Sequence, residues 1–273
     1  MANFIILLKK NLVEMIRNKR VLIFGIVFAF FSIISAVAAK YLPELIKWIF
    51  SQTGEMQGVE SLILSSTVAD SYVQFISNIG QIAVLFVPLM FASTIVREKE
   101  KGTYNVLKMN KVKDSEIVLA HLTSQIILVT VCYLVSVALF VPLNILLFKQ
   151  IMGLRGFVAL VYLYLLLIID ICITMFISCS CKKKGKSYLF VVLVYFGLSI
   201  LDAIPKVNRF LPYSLLSLSN ELMIYPSYKL SDHLITVISM VVIGFVLVIS
   251  SIFVTRNRID NSKVSDNDNR ERV

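Results

Sequence analysis

Few residues in this chain combine a reactive type with a spacing that supports chemistry. Asp170 is the only charged side chain between positions 157 and 181, and Thr174 follows it by one helical turn. A carboxylate in such a run costs about 2.5–3.5 kcal/mol to place at mid-membrane, so it must face protein or a water cavity. Gln74, Asn78 and Gln81 are four and three apart, which puts them on one helix face. Two readings stay open for these groups. They line a path for a moving substrate, or they are hydrogen-bond glue between helices, with Asp170 protonated. Gly185-Lys186-Ser187 matches the end of a phosphate-binding loop, but the glycine required five residues earlier is Ser180, and an apolar run stands where a strand is needed. Its lysines read better as topology signals. Cys179-x-Cys181 has only His121 and His233 to draw on, and a zinc site takes about four ligands. No nucleophile–base pair has the spacing of a catalytic triad. An ATPase site, a metal centre and an intramembrane hydrolase are therefore not expected in this chain.

The elements that position these residues follow from composition. Of 273 residues, 58% are hydrophobic and 16% charged, and the mean hydropathy is +0.82. Soluble domains hold about 45–50% and 25%. The balance excludes a disordered or collagen-like chain and disfavours a soluble enzyme. Six apolar runs span 21–39, 73–96, 122–148, 157–181, 188–204 and 234–254. Each approaches or exceeds the roughly 20 residues that cross about 30 Å of hydrocarbon. Pro88 and Pro142 lie inside runs, where neighbouring helices can satisfy the freed carbonyls. Cys132, Cys172, Cys179 and Cys181 fall within or beside the runs, so a secreted disulfide framework is not expected. Ala36-Val37-Ala38 resembles a signal-peptide cleavage site, but the run before it exceeds the usual 7–15 residues, and the first run is expected to remain a span.

The net charge of +10 is unevenly placed. With six spans, twenty Lys and Arg fall on one side and seven on the other. The positive-inside rule then puts both termini in the cytoplasm of a multi-pass cell-membrane protein. The domain reading is a cytoplasmic N-terminal helix over 1–20, a six-helix transmembrane domain over 21–254 and a cytoplasmic tail over 255–273. In the first segment Phe4, Ile5, Leu8, Leu12, Met15 and Ile16 recur at three- and four-residue steps among Lys9, Lys10, Glu14 and Arg17. This is an amphipathic helix in the headgroup plane or, equally, a basic flank that fixes topology. Residues 41–72 read as an outer loop with Tyr41, Trp48 and Phe50 at the interface. Residues 205–233, interrupted by Pro205, Pro212 and Pro226, read as short helices dipping partly into the membrane.

The most informative segment follows the second span. An apolar helix runs into a charged turn from Arg97 to Lys101. Gly102 breaks it, Thr103 caps a short helix to about Met109, and Asp114, Ser115 and Glu116 signal the start of the next helix. Topology alone needs only the basic residues here. It does not need Tyr104, Val106, Leu107 and Met109, which in a short helix cannot hide from water without a partner.

Here the sequence resembles the permease subunits of ABC-2 type transporters, which commonly carry an acidic Glu-x-x-Gly-Thr pattern after the second span. Glu98, Glu100, Gly102 and Thr103 match it, and the topology matches over essentially the whole chain. Two departures bear on the subfamily: Asn110 stands where a proline is frequent, and Asn18-Lys19 where Asp-Pro is frequent. The resemblance implies an all-α integral membrane protein with an N-terminal amphipathic helix and an ABC-2, type V exporter-like permease fold. It implies a second permease, identical or homologous, and cytoplasmic ABC ATPase subunits. ATP and Mg would be bound by that partner, with no cofactor, enzymatic activity or nucleic-acid contact in this chain. Glu98, Glu100, Gly102, Thr103, Val106, Leu107 and Met109 would couple to the ATPase. Gln74, Asn78, Gln81, Asp170 and Thr174 are the candidate translocation path. The broad apolar interior fits amphipathic peptides, lipids or hydrophobic drugs as cargo, moved outward. The alternative is an ion-coupled secondary transporter or channel using Asp170, although inverted halves with matching broken helices are not seen. A membrane-anchored immunity or sensor protein overlaps the permease reading.

Overall fold

The computed structural model describes residues 2–53, 66–202, 204, 210–225 and 234–270. Ten helices and no strand lie among these residues: α1 (Ala2–Arg17), α2 (Arg20–Thr53), α3 (Val68–Phe91), α4 (Thr94–Glu100), α5 (Thr103–Met109), α6 (Asp114–Phe148), α7 (Leu154–Ser180), α8 (Lys184–Asp202), α9 (Ser214–Ile224) and α10 (Leu234–Arg270). Six stretches among them are long and apolar enough to cross a membrane: Arg20–Ile49, Val68–Glu100, Asp114–Phe148, Leu154–Ser180, Lys184–Asp202 and Leu234–Arg256. The chain is an all-α membrane protein. Helices α1, α4 and α5 gather at one end of the bundle, here called the coupling end.

Helices α3 and α7 form the centre. In a membrane, packing and hydrogen bonds rather than hydrophobicity hold helices together, which favours small and hydroxyl side chains at contacts. The contacts follow that rule. Ser32 and Ser136 join α2 to α6 with their hydroxyls 2.6 Å apart. Tyr133 donates to the Leu160 carbonyl at 2.7 Å, joining α6 to α7. Phe75 of α3 stacks on Phe140 of α6 at 4.1 Å. Helix α9 wedges between α3 and α7. A Cβ on Gly80 would overlap Leu216, and the Ser219 hydroxyl reaches the Ala159 carbonyl at 3.3 Å. Helix α10 packs chiefly on α7, while α8 touches α3 and α7 along narrow lines.

Several helices outrun their apolar runs. Helix α2 continues to Thr53 through Pro43, so residues 41–53 are helix rather than the expected loop. Helix α3 begins at Val68 because Thr67 and Asp70 form a capping box, with Thr67 N–H donating to Asp70 at 2.8 Å. Residues 54–65 of that expected loop lie outside the described residues. Helix α6 begins at Asp114, two turns before its apolar run, where Lys113 N–H donates to Glu116 at 3.2 Å. The backbone of α10 stays helical to Arg270, so the tail extends the last helix. Parts of the 205–233 expectation, residues 205–209 and 226–233, lie outside the described residues.

Candidate functional site

The coupling end is built on Glu98. Its side chain is 8% exposed. A buried carboxylate is costly unless paired, and breaking such a pair strands the charge. Glu98 is paired twice. Lys10 of α1 bonds one oxygen, and His121 Nε2 of α6 lies 3.0 Å from the other. Beside it, Arg97 pairs with Glu14 of α1. Glu98 therefore pins α1, α4 and α6 to one another. Glu100 faces the other way. It accepts the Lys184 backbone N–H at 2.7 Å, and Lys184 Nζ lies 3.4 Å from its second oxygen, which ties α4 to the first turn of α8.

The turn after α4 needs Gly102. Its φ of 73° is left-handed, a conformation glycine adopts without the penalty of a Cβ. Gly102, not Thr103, is the cap of α5. Its carbonyl accepts from Asn105 N–H at 3.0 Å, while Thr103 is the first helical residue and makes no capping bond. Tyr104, 2% exposed, anchors the helix by donating to Asp114. Burial and the Asp114 carboxylate together push the Tyr104 hydroxyl well above the usual phenol range, so it remains a donor. Lys108 also pairs with Asp114. Leu107 turns inward to the cluster of Leu7, Tyr104, Ile117 and Ala120. Val106 and Met109 point out, 55% and 83% exposed. The expected apolar knob is thus divided: Leu107 braces α5, and Val106 with Met109 forms the free surface.

The second span is broken at Ala92 and Ser93, between α3 and α4. The groups freed by the break find partners on other helices. Ser187 donates to the Ala92 carbonyl, and Tyr188 OH lies 3.1 Å from Ser93 Oγ. Ile95 N–H donates to Ser178 Oγ at 3.2 Å, and Gln125 donates to Thr94 Oγ1 at 3.2 Å. Lys99 Nζ reaches the Cys179 carbonyl at 2.9 Å. Helix α4 sits in a polar collar supplied by α6, α7 and α8.

The candidate path residues do not converge. Gln74 and Gln81 are exposed on α3, whereas Asn78 donates to Ser35 of α2 at 2.9 Å. Asp170 is fully buried elsewhere, with Tyr195 OH of α8 donating to its Oδ1 at 3.2 Å. Thr174 donates back to the Asp170 carbonyl at 2.7 Å. The Asp170 Oδ2 has no hydrogen-bond partner among the described residues. The Cys179-x-Cys181 pair is buried with both thiols free, and no three His, Cys, Asp or Glu side chains converge among the described residues.

Lys10, Glu14, His121, Tyr195 and Ser187 are the residues that the sequence reading did not single out for these roles. One signal was available for the first three. Opposite charges on the amphipathic N-terminal helix and on the turn after the second span are complementary, and His121 is a lone titratable group near the start of α6. Nothing local announces Ser187 or Tyr195.

The fold is a six-span helical membrane bundle with a laterally pinned, charged helix pair at one end. Residues 55–253 match the model of the ABC-2 family transporter protein. The chain belongs to that family, a membrane component of ABC transporters that is not itself catalytic, and membership implies an ABC ATPase partner. No match was found among curated proteins. Membership favours the ATP-driven reading over the ion-coupled one.

Proposed function

We propose that this chain is the membrane half of an ATP-driven exporter and that α4 and α5 form the element an ABC ATPase grips. The observation that carries this reading is the exposed Val106–Met109 surface on a seven-residue helix that is held rigidly from behind. Tyr104 locks α5 to Asp114, and Glu98 locks α4 to α1 and α6. A push on Met109 is therefore delivered to three helices at once. Closure of the ATPase dimer on ATP and Mg, both bound by the partner, shifts the spans between inward- and outward-open states. It does so by the partner's different affinity for the two. The excess of basic residues on that side supports placing the coupling end and both termini in the cytoplasm. Gln74 and Gln81 face a second permease, identical or homologous, across a path that carries amphipathic peptides, lipids or hydrophobic drugs outward.

The test is co-purification with the ATPase. Met109→Asp and Val106→Asp leave the fold untouched, because both side chains project outward. Each is expected to lower ATPase retention about tenfold or more, the usual cost of losing a contact anchor, and to remove ATP-driven transport in liposomes. Full retention and full transport in both variants would refute the docking role.

A further inference from the structure

Most acids of the coupling end are committed: Glu14 to Arg97, Glu98 to Lys10, Glu100 to Lys184 and Asp114 to Lys108. Lys182 and Lys186 have no acidic partner among the described residues. They stand at the mouth of a hollow of about 720 Å³, a volume within the roughly 300–1,000 Å³ range of small-molecule sites. Helix α8 lines the hollow with Lys186, Phe190, Val194 and Leu198, one residue per helical turn. Phe176 of α7 and Leu247 of α10 form the other walls, and Phe210 and Pro212, just before α9, close the far end.

Two features identify the occupant. The first is depth. Lys186 to Leu198 spans about 18 Å at 1.5 Å per residue, and half of a bilayer's hydrocarbon core is about 15 Å. The hollow therefore runs from headgroup level to the bilayer middle, which is the thickness of one leaflet. The second is charge. The mouth is cationic and the interior apolar, the reverse polarity of an anionic head group on an acyl chain. Topology requires the lysines but not a hollow beneath them. None of Gln74, Asn78, Gln81, Asp170 and Thr174 lines the hollow. The opposite face of α8, with Val192 and Phe196, borders a separate hollow together with Leu85 and Leu89 of α3.

We propose that this hollow binds one membrane lipid with an anionic head group, taken from the leaflet at the coupling end. The head group rests on Lys182 and Lys186, and an acyl chain lies along α8 between α7 and α10. Helices α8 and α10 scarcely touch each other, and the chain fills the space between them.

The test uses the full-length permease in neutral detergent, offered phosphatidylglycerol or phosphatidylcholine with identical acyl chains, and read by native mass spectrometry. One phosphatidylglycerol per chain is expected, retained about tenfold over phosphatidylcholine, since two basic side chains set the preference. Lys182→Gln with Lys186→Gln is expected to bring the two lipids level, while Lys9→Gln with Lys111→Gln leaves the preference intact. Val194→Trp fills the hollow and is expected to release both lipids, whereas Val192→Trp on the opposite face is not. If Val194→Trp fails to fold, the lysine pair decides alone. Equal retention of the two lipids by the wild type, an unchanged preference in the lysine variant, or a second copy of the chain in place of lipid would overturn the proposal.

Discussion

Helices α7 and α10 are comparably apolar, yet 72% of the most apolar stretch of α7 is buried within the chain and only 11% of that of α10. Hydropathy decides that both cross the membrane. It does not decide which lies inside. The difference is set by what interrupts each run. Gly156, Ala159, Asp170, Thr174 and Ser178 of α7 are all buried, and each either allows a close approach or exchanges a hydrogen bond. The corresponding surface of α10 carries Ile238, Phe245, Ile249 and Phe253, all at least 60% exposed. These suit acyl chains as well as protein. A membrane helix is internal when its small and polar residues have somewhere to go.

The sharpest way to break this comparison is a large residue at a glycine of each helix. A Cβ on Gly156 would lie 2.9 Å from Met152 Cβ and 3.0 Å from the Tyr72 ring, while a Cβ on Gly244 meets nothing within 4 Å. Gly156→Leu is therefore expected to destabilise by about 1–3 kcal/mol through overpacking. Gly244→Leu is expected to stay within about 0.5 kcal/mol. Thermal unfolding in detergent separates them, and equal shifts would mean that α10 is buried by something this chain does not supply.

A smaller effect is expected inside α7. Asp170→Leu removes one of the two Asp170 oxygens that accept from Tyr195 OH, leaving the backbone carbonyl at 3.2 Å, and should cost about 1 kcal/mol. Asp170→Asn keeps an acceptor at the same place and should restore folded yield. Yield and melting temperature measure both. If Asp170→Asn is as damaging as Asp170→Leu, the pairing with Tyr195 is not what the carboxyl contributes.

The same comparison shows what the sequence could reveal. The six crossing segments were legible because apolar runs of membrane length with at most one charge are rare by chance. The turn between α4 and α5 was legible because Gly102 and its flanking charges are local signals. The inward turn of Leu107 was not, since it depends on Leu7 and Ile117 being opposite it. Nor was the break at Ala92 and Ser93. It stands because Ser187, 95 positions later, takes the freed carbonyl. The polar residues of α3 meet different surroundings for a related reason. Spacings of four and three put Gln74, Asn78 and Gln81 on one face, and of these Asn78 donates to Ser35 while Gln74 and Gln81 stay exposed. Periodicity assigns a face, and tertiary packing decides what that face meets.

The central claim is that α5 presents Met109 to a cytoplasmic ATPase. The four native cysteines are buried, so a single Met109→Cys substitution supplies the accessible thiol. In intact cells an impermeant thiol reagent should leave that position unlabelled, and in permeabilised cells a thiol–amine cross-linker should join it to the ATPase, with ATP changing the yield. Labelling from outside, or no cross-link while the two proteins still co-purify, would contradict the account.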